Sequence, residues 1–378
     1  MQPTLVRRTV SIPQRIPKPR RQVSSRPKSA PNASDTTTTP KGPIYRLPAE
    51  KLLLYADRGL IVVNKPNGLI SQLSDPRNRR TEPNIDADIF ATFMEDLANK
   101  LGAKEPLRPL HRLDKVCPPF HCPFPAHSLV RSQPTTGALA IARHAHSARD
   151  FANQLSAREV EKTYLALVVG DASAFPEPHG TIETELECRN GRMRISGAER
   201  VYERPETEPR APRERGENWI KPAVSGYEVL ASSPKVPLSL LRLRLHTGVK
   251  HQLRVHLAQA LRTPVLGDAL YLDPSLTRLR AIAQTIDVPR SLFLHSSRIS
   301  LNRYRPRRVR LAVGAPLPMT FVDVCEKADI PLDVDDVVGG VWVDGAKALG
   351  PHAAPDERAT DMIEYLRGQW YWRGKPEW

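Results

Sequence analysis

The apolar residues of this 378-residue chain fall into short runs that predict β-strands. Residues 59–63 (GLIVV) are mostly β-branched and aliphatic, and the turn-forming NKPNG follows at once, which is typical of a buried strand. Residues 241–246 (LRLRLH) alternate apolar and basic side chains, and this period of two predicts a strand with one buried face. Further strands are predicted at 138–142, 163–169, 226–230, 292–301 and 309–313.

Other segments space their apolar residues at the helical period, and they predict helices at 85–101, 144–158 and 251–261. Strands joined both by helices and by short links predict an α+β fold, with a mixed, largely antiparallel sheet flanked by helices. The helix at 144–158 is amphipathic. Its expected buried face consists of Ala148, Phe151, Ala152 and Leu155.

Three segments depart from this pattern. Residues 1–48 predict an unfolded leader ahead of a catalytic domain at 49–330. Residues 171–220 are polar, with ERPETEPRAPRERGEN at their centre, and they predict a mobile surface insertion. Residues 331–378 form a C-terminal extension, whose DMIEYLRGQWYWRGKPEW predicts a terminal helix that packs its aromatic side chains.

The leader is strongly basic. Residues 1–34 carry eight basic residues and no acid, so they supply +8 of the net charge of +15. With many Ser, Thr and Pro residues, this composition is typical of a mitochondrial import peptide, and a disordered basic arm that touches RNA is the alternative. We favour import, to the mitochondrial matrix rather than the cytoplasm or nucleus. The basic residues are Arg7, Arg8, Arg15, Lys18, Arg20, Arg21, Arg26 and Lys28.

Composition also narrows the class of protein. No apolar run approaches the roughly 20 residues of a membrane-spanning helix, so we expect no membrane association. Four cysteines are too few and too scattered for a secreted disulfide framework, which predicts a reducing compartment. The charge of +7 beyond the leader suits a polyanionic partner.

Three short clusters carry candidate chemistry. In HRLD, Asp114 lies beside cations that favour its ionised form, which is available as a nucleophile or base. Tyr164 lies near the start of a predicted strand, where it is either a binding-site aromatic or a core tyrosine. In LHTGVKHQLRVHLAQ a helix begins among Lys250, His251 and Arg254, an arrangement that suits an anion. Together they predict a nucleic-acid site with one carboxylate at its centre.

The ordered segments VVNKPNGL, HRLD, PTTGALAIAR, EKTYLALVVG, HTGVKHQLRVHLAQ with TPVLGDALY, and LFLHSSRISL resemble the RluA-like family of RNA pseudouridine synthases. The resemblance covers residues 52–322. It implies a pseudouridine synthase fold with a central catalytic cleft, an RNA substrate, and no metal or organic cofactor. GVKHQLRVHLAQ resembles the organellar branch, which implies mitochondrial large-subunit rRNA, with tRNA and mRNA as further candidates. Val249 and Lys250 replace an Arg-Thr pair that many members have.

The resemblance also implies a role for each matching residue. Asp114 matches the catalytic aspartate that attacks C1′ of the uridine ribose, directly or by way of a glycal. Tyr164 matches the aromatic that stacks on the target base, and Arg254 the arginine that pairs with the aspartate. Arg112 matches the residue that helps to fill the gap left by the flipped nucleotide. Further candidate RNA contacts are His111, Lys65, Lys162, Lys250 and His251.

For some of these residues a structural role competes with a functional one. Lys65 either meets an RNA phosphate or is solvated, and His251 with Gln252 is expected to cap and orient the helix. His256 is expected to be a core histidine, whereas His295 stays open between the two roles. Gly267-Asp268 and Tyr271 are expected to form a turn and its packing.

The family motif is interrupted directly after HRLDK. Joining Lys115 to Pro134 gives HRLDKPTTGALAIAR, so the 18 residues at 116–133 are an excess. A zinc knuckle is one explanation, but His121 and Cys122 are adjacent and cannot spread around a tetrahedron as C-x₂₋₄-C does. A genuine loop is the second, and a retained in-frame intron of 54 nucleotides is the third. We favour the intron, because Val116-Cys117 can be encoded by GTATGT, which is a common 5′ splice signal. The last residue, Gln133, can be encoded by CAG, which supplies the 3′ AG.

These observations leave one leading function and two rivals. The leading prediction is a monomeric enzyme that isomerises uridine in RNA, although 116–133 would disturb a carboxylate that needs placement within about half an ångström. A non-catalytic RNA-binding factor in ribosome assembly is the first rival. Hydrolytic cleavage of the N-glycosidic bond is the second, and it lacks a second carboxylate placed to activate water.

Overall fold

The computed structural model of the chain describes residues 48–69, 71, 85–113, 135–189, 192–197, 219–353 and 356–372. Residues 1–47 of the predicted leader, Asp114, the excess segment at 116–133 and the polar run at 203–218 therefore lie outside the described residues. None of the helices within these ranges is long and apolar enough to span a membrane.

The described strands form one sheet. They are β1 (Leu53–Ala56), β2 (Leu60–Lys65), β3 (Arg108–Pro109), β4 (Thr136–Ala142), β5 (Glu161–Val169), β6 (His179–Arg189), β7 (Arg192–Ile195), β8 (Trp219–Ser232), β9 (Leu238–Leu245), β10 (Leu294–Arg303), β11 (Val309–Gly314), β12 (Gly340–Val343), β13 (Ala346–Leu349) and β14 (Gln369–Trp370).

Eight α-helices flank the sheet in the described ranges. They are α1 (Ala49–Leu52), α2 (Ile85–Lys100), α3 (Ala145–Ser156), α4 (Gln252–Val255), α5 (Thr277–Thr285), α6 (Met319–Lys327), α7 (Val334–Val338) and α8 (Glu357–Leu366). A π-helical segment, His256–Ala260, continues α4 without a break. A 3₁₀ turn occupies Ala172–Ala174.

The central strand order is β14-β1-β2-β4-β10-β5-β9-β8-β6-β7, and β11, β12 and β13 branch from β10. Strands β4 and β10 run parallel, whereas the other described pairs are antiparallel. The α+β fold with a mixed, largely antiparallel sheet is therefore confirmed. The predicted helices at 85–101 and 251–261 are confirmed within a residue or two, as is the helix at 144–158, which ends at Ser156.

The central strands are buried on both faces. Along β5, Tyr164, Ala166 and Val168 point into one apolar cluster, together with α2 and Leu243 of β9. Their neighbours Leu165 and Leu167 point into a second cluster, which α5 and α6 cover. Because successive side chains of β5 point to opposite faces of the sheet, this one strand contributes to two cores.

The predicted buried face of α3 is partly wrong. Phe151 is buried, but Leu155 is 38% exposed, and Ala152 is exposed as well. Gln154 is buried in its place, because its side-chain amide donates to the Asn302 carbonyl at 3.0 Å and accepts from the Asn302 N–H at 2.8 Å. This reciprocal pair turns the polar Gln154 toward β10.

The prediction that all of 171–220 is a mobile insertion is wrong for its first half. Strand β6 pairs with β8 along its whole length, and β7 pairs with β6. The outward side chains of β6 are polar, but Leu186 packs with Met193 and Val255 in a small core beside α4. The polar composition thus reflects one solvated face of a long hairpin rather than a lack of structure.

The C-terminal residues continue the same sheet. Strand β12 pairs with β11, and β14 pairs with β1 through Tyr55 and Trp370. The predicted terminal helix is confirmed as α8. Trp370 and Trp372 pack against an apolar cluster to which α8 contributes Met362, Ile363 and Leu366.

Candidate active site

Three motif segments meet in one apolar cluster on the α2 face of the sheet. Leu113 directly precedes Asp114 in HRLD, Tyr164 lies on β5, and Leu253 directly precedes Arg254 on α4, and all three are buried in that cluster. Asp114 itself lies outside the described residues. The fold therefore brings its chain neighbour, Leu113, into the same core as Tyr164 and Leu253.

The HRL segment is held against β4 and the loop after β2. The Leu113 N–H donates to Ser71 Oγ at 3.0 Å, and that hydroxyl donates to the Leu113 carbonyl at 3.2 Å. His111 Nε2 accepts from the Ala140 N–H at 3.1 Å. Burial, and to a lesser extent the nearby Lys162 charge, lowers the pKa of His111 to about 3, so the imidazole is neutral. His111 thus braces the backbone of β4 as a neutral imidazole, and its predicted contact with RNA stays a prediction.

Arg254 is fully buried and is anchored by a carboxylate. Its Nε donates to Asp268 Oδ2 at 2.7 Å and a terminal nitrogen donates to Oδ1 at 2.6 Å, with both side chains at 0% exposure. The N–H groups of Leu270 and Tyr271 also donate to Oδ1. Burial opposes ionisation of Asp268, but the Arg254 charge and these hydrogen bonds outweigh it and hold the pKa of the carboxyl below its usual range.

The turn between β9 and α4 is fixed by Gln252. Its side-chain oxygen accepts from Thr247 Oγ1 at 2.8 Å and from the Val249 N–H at 3.0 Å. Its side-chain nitrogen donates to the Val224 carbonyl and to Ser225 Oγ, each at 2.9 Å. One buried amide therefore ties this turn to β8, which supports the predicted orienting role of Gln252.

His251 is also structural rather than an accessible RNA contact. It adopts a left-handed backbone conformation (φ 55°) ahead of α4, is buried, and shares a hydrogen bond of 2.9 Å between Nδ1 and the Tyr271 hydroxyl. The neighbouring Lys250 is exposed, as is Arg112 at the other side of the cluster. Both side chains thus lie at the protein surface.

The predicted contact of Lys65 with RNA is wrong, and so is its solvated alternative. Lys65 is 0% exposed, and its Nζ donates to the carbonyls of Pro66 at 3.1 Å and Leu69 at 2.8 Å. Burial lowers the pKa of this ammonium to about 7. Lys65 therefore closes the turn after β2 from inside the protein.

Lys162 occupies a different position, two residues before Tyr164 and on the same face of β5. It is 9% exposed, and burial lowers its pKa. Its Nζ lies beside the β9–α4 turn, 3.9 Å from the position that a side-chain Cβ would take at Gly248. It makes no ion pair with a carboxylate in the described ranges. A partly desolvated cation next to Tyr164 suits a ligand that carries negative charge.

The remaining histidines are part of the packing. His256 Nε2 lies 3.0 Å from Thr184 Oγ1, and burial lowers its pKa to about 4, which confirms the predicted core role. His295 hydrogen-bonds Thr136 at 2.9 Å and the Ala315 carbonyl at 3.2 Å, and burial lowers its pKa to about 4 as well. Both are neutral near physiological pH.

Sequence reasoning missed two residues of this site. Asp268 was expected only in a turn, yet it is the counter-ion of Arg254; its place after Gly267 carries no signal for that pairing. Ser71 follows no motif at all. Among the described side chains, no cluster of three His, Cys, Asp or Glu residues could hold a metal ion. The zinc-knuckle candidates at 117–127 lie outside them.

Residues 132–259 match the family model described as RNA pseudouridylate synthase, a range that includes Tyr164 and Arg254. The chain is 30% identical over 303 residues to "Pseudouridylate synthase RPUSD4, mitochondrial" of Xenopus tropicalis, covering 76% of this chain and 83% of the relative. It is 29% identical over 248 residues to "tRNA pseudouridine synthase C" of Pasteurella multocida, covering 65% and 84%.

A solved structure agrees with these relatives. "Human RNA Pseudouridylate Synthase Domain Containing 4" superposes with a TM-score of 0.52 at 25% identity, covering 75% of this chain and 96% of the human chain. The fold, the positions of Tyr164 and Arg254 and the extent of these matches lead to one conclusion. The chain belongs to the RluA-like family of RNA pseudouridine synthases, enzymes that convert uridine to pseudouridine in RNA.

Proposed function

We propose that this enzyme acts as a monomer in the mitochondrial matrix on uridine of large-subunit ribosomal RNA, with Asp114 as its covalent catalyst. The observation that carries the site assignment is the shared core of Leu113, Tyr164 and Leu253, which gathers the three motifs at one place. The mitochondrial location is supported by the acid-free basic leader and by the name of the Xenopus relative.

The reaction begins when the target nucleotide leaves the RNA stack, since its glycosidic bond cannot be reached inside it. The ring of Tyr164 then stacks on the uracil, and the exposed Arg112 takes the space that the nucleotide vacates. Both contacts offset part of the cost of unstacking. Lys162 and Lys250 hold phosphate groups beside the cleft, where they supply charge without base specificity.

Asp114 then attacks the ribose, either at C1′ directly or after formation of a glycal. The bond from C1′ to N1 breaks and the uracil turns within the closed pocket. Its C5 then attacks C1′ while the bond between C1′ and the Asp114 carboxylate breaks, which releases the aspartate; C5 loses its proton and N1 gains one. Arg254 keeps Asp114 ionised at this stage, because a neighbouring guanidinium favours the charged carboxylate. Its own orientation is set by the bidentate contact with Asp268.

The excess at 116–133 begins two residues after Asp114 and bears on whether the chain as written is active. We expect the full chain to show little pseudouridine formation and a form lacking 116–133 to be competent, because the deletion restores HRLDKPTTG. Both forms are assayed on mitochondrial large-subunit rRNA and tRNA transcripts by pseudouridine-specific chemical mapping. Equal activity of the two forms would contradict this part of the proposal.

Sequencing the transcript across codons 115–134 tests the intron explanation independently of any assay. A spliced message lacking 54 nucleotides supports it, and a message that retains them everywhere identifies a genuine loop. Light scattering on the purified protein tests the proposed monomeric state. A molar mass near twice 42.3 kDa would overturn it.

A further inference from the structure

The turn between β10 and β11 concentrates positive charge far from the motifs. In this basic turn, residues 304–308, the side chains of Arg305, Arg307 and Arg308 are exposed, with Arg308 at 66%, and Tyr304 is 51% exposed. Arg305 and Arg307 have no carboxylate within ion-pair distance among the described residues. Three guanidinium groups and an aromatic ring thus face solvent on five consecutive residues.

The surroundings of the basic turn compensate this charge only in part. Arg158, the chain neighbour of Glu159, is exposed, and Arg310 follows on β11. The acids close by are Glu159, 3.8 Å from Arg308, Glu161, 3.4 Å from Arg310, and Asp344, which accepts from the Arg310 N–H at 2.7 Å. Five arginines against three acids leave a local net charge of +2, and the exposed Glu–Arg contacts are weak and screened by salt.

The base of the turn is rigid. Gln154 of α3 and Asn302 of β10 exchange two hydrogen bonds, and Arg303 forms an ion pair of 2.5 Å with the buried Asp57. Tyr304 donates its hydroxyl hydrogen to Glu159. The arginines are therefore presented from an ordered support, which lowers the entropy lost when they bind a partner.

The basic turn lies at the same end of the sheet as the candidate cleft. Strand β10 ends where β5 begins, since Ser300 is opposite Glu161, and β9 ends there too, since Arg244 is opposite Thr163. Strand β10 is the direct neighbour of β5, so about 5 Å separates it from the strand of Tyr164, and the five residues from Arg298, opposite Thr163, to Arg303 add roughly 17 Å along the strand. This distance from Tyr164 is within reach of RNA that flanks a bound uridine.

We propose that the basic turn is a second RNA-binding surface, which holds backbone phosphates of the RNA flanking the target nucleotide. The inference rests on the RNA substrate of the proposed function and adds a site outside the cleft. Exposed arginines next to an aromatic ring suit phosphate contact and base stacking. An anionic membrane is disfavoured because Tyr304 is the one large apolar side chain exposed on the described turn.

The test is RNA binding by the full chain, measured without reliance on catalysis. The triple variant Arg305→Ala/Arg307→Ala/Arg308→Ala is compared with the wild type and with the charge-matched control Arg278→Ala/Arg280→Ala/Lys327→Ala, whose residues are exposed on or next to α5 and α6. Dissociation constants are measured over a range of salt concentrations, for a long rRNA transcript and for a short stem-loop without flanking RNA.

We expect the triple variant to bind the long transcript on the order of tenfold more weakly, with the slope of log K against log salt reduced by about two. Binding of the short stem-loop stays as in the wild type, and the control triple variant resembles the wild type on both RNAs. A triple variant that matches the control on the long transcript overturns the proposal. So does unchanged RNA affinity together with lost binding to phosphatidylserine vesicles.

A second variant changes the affinity in the opposite direction. Glu159→Gln removes the carboxylate that faces Arg308 and Tyr304, so we expect two- to threefold tighter binding of the long transcript, by an effect that salt screens. Weaker or unchanged binding of the long transcript would count against the basic turn. If instead no uridine is converted in any RNA, the proposed function fails while these binding results still decide the second surface.

Discussion

Lys65 and Arg254 are both motif cations that the fold buries completely, yet it gives them different partners. Lys65 donates to two backbone carbonyls and faces no carboxylate within ion-pair distance in the described structure, so burial brings its pKa to about 7. Arg254 has the Asp268 carboxylate as a bidentate partner and keeps its charge. A buried lysine without a carboxylate partner loses much of its charge, whereas a buried arginine keeps its charge and is matched here by a counter-ion.

This difference separates a scaffold residue from a site residue. Lys65 ends β2 opposite Gly137 of β4 and stabilises the turn that follows. Arg254 lies one residue from Leu253 in the cluster that holds Tyr164. Variants that alter the partner of each cation therefore test the comparison directly.

The largest effect is expected from Asp268→Asn. The change breaks the bidentate ion pair of the buried Arg254 with Asp268, and breaking a buried ion pair by removing one partner destabilises proteins by about 3–5 kcal/mol. Urea unfolding followed by circular dichroism measures this loss. The control Asp287→Asn removes an exposed carboxylate and is expected to stay within about 0.5 kcal/mol of wild type. Equal unfolding midpoints for the two variants would contradict the account of Arg254.

A smaller effect is expected from Arg254→Lys. Lysine keeps the charge but cannot form the two parallel hydrogen bonds with Asp268, so we expect a loss of about 2 kcal/mol in unfolding free energy. Pseudouridine formation should fall even where the variant is folded, because the cation no longer holds a fixed direction. A folded variant with wild-type activity would show that charge alone is sufficient at this position.

Lys65→Met is expected to cost only about 1 kcal/mol, since it removes hydrogen bonds but no obligatory charge. Its sharper signature is the dependence on pH. The unfolded chain retains the ordinary pKa of 10.5 for Lys65 and the folded chain about 7, so the unfolded state binds more protons between these values. Wild-type stability should therefore rise with pH from about 7 to 10.5.

The Lys65→Met variant should lack this part of the rise. Unfolding free energies at four or five pH values across the window, for the variant and the wild type, provide the measurement. Parallel curves for the two proteins would mean that Lys65 is charged in the folded state, and the contrast with Arg254 would fail.

Much of the fold follows from local pattern. The segments that form β2, β4, β5, β9 and β10 are apolar and bounded by turn residues. The spacing of apolar residues and the positions of turn residues were therefore sufficient to predict these strands. The hairpin of β6 and β8 was not predicted, because one of its faces is solvated and polar. The composition of the segment averages over both faces, so it conceals the buried one. Leu155 was misplaced because a reciprocal amide contact at Gln154, rather than apolar spacing, sets how α3 lies on β10.

The resemblance named the residues of the candidate site, whose catalytic roles stay predictions, but it did not name the side chains that hold them in place. Tyr164 and Arg254 were identified from motifs, whereas the role of Asp268 depends on a side-chain pairing across 14 residues that no local pattern encodes. The burial of Lys65 was equally hidden. Whether a cation faces RNA or the interior is decided by tertiary packing and not by its motif.

In the proposed mechanism Asp114 converts uridine covalently in a cleft completed by Tyr164 and Arg254. Its most direct test is single-turnover pseudouridine mapping with the form lacking 116–133, with and without Asp114→Asn, on mitochondrial large-subunit rRNA. The account predicts conversion of a uridine by the parent form and none by the Asp114→Asn variant, while both bind the RNA equally. Conversion by the variant at the parent rate would contradict it.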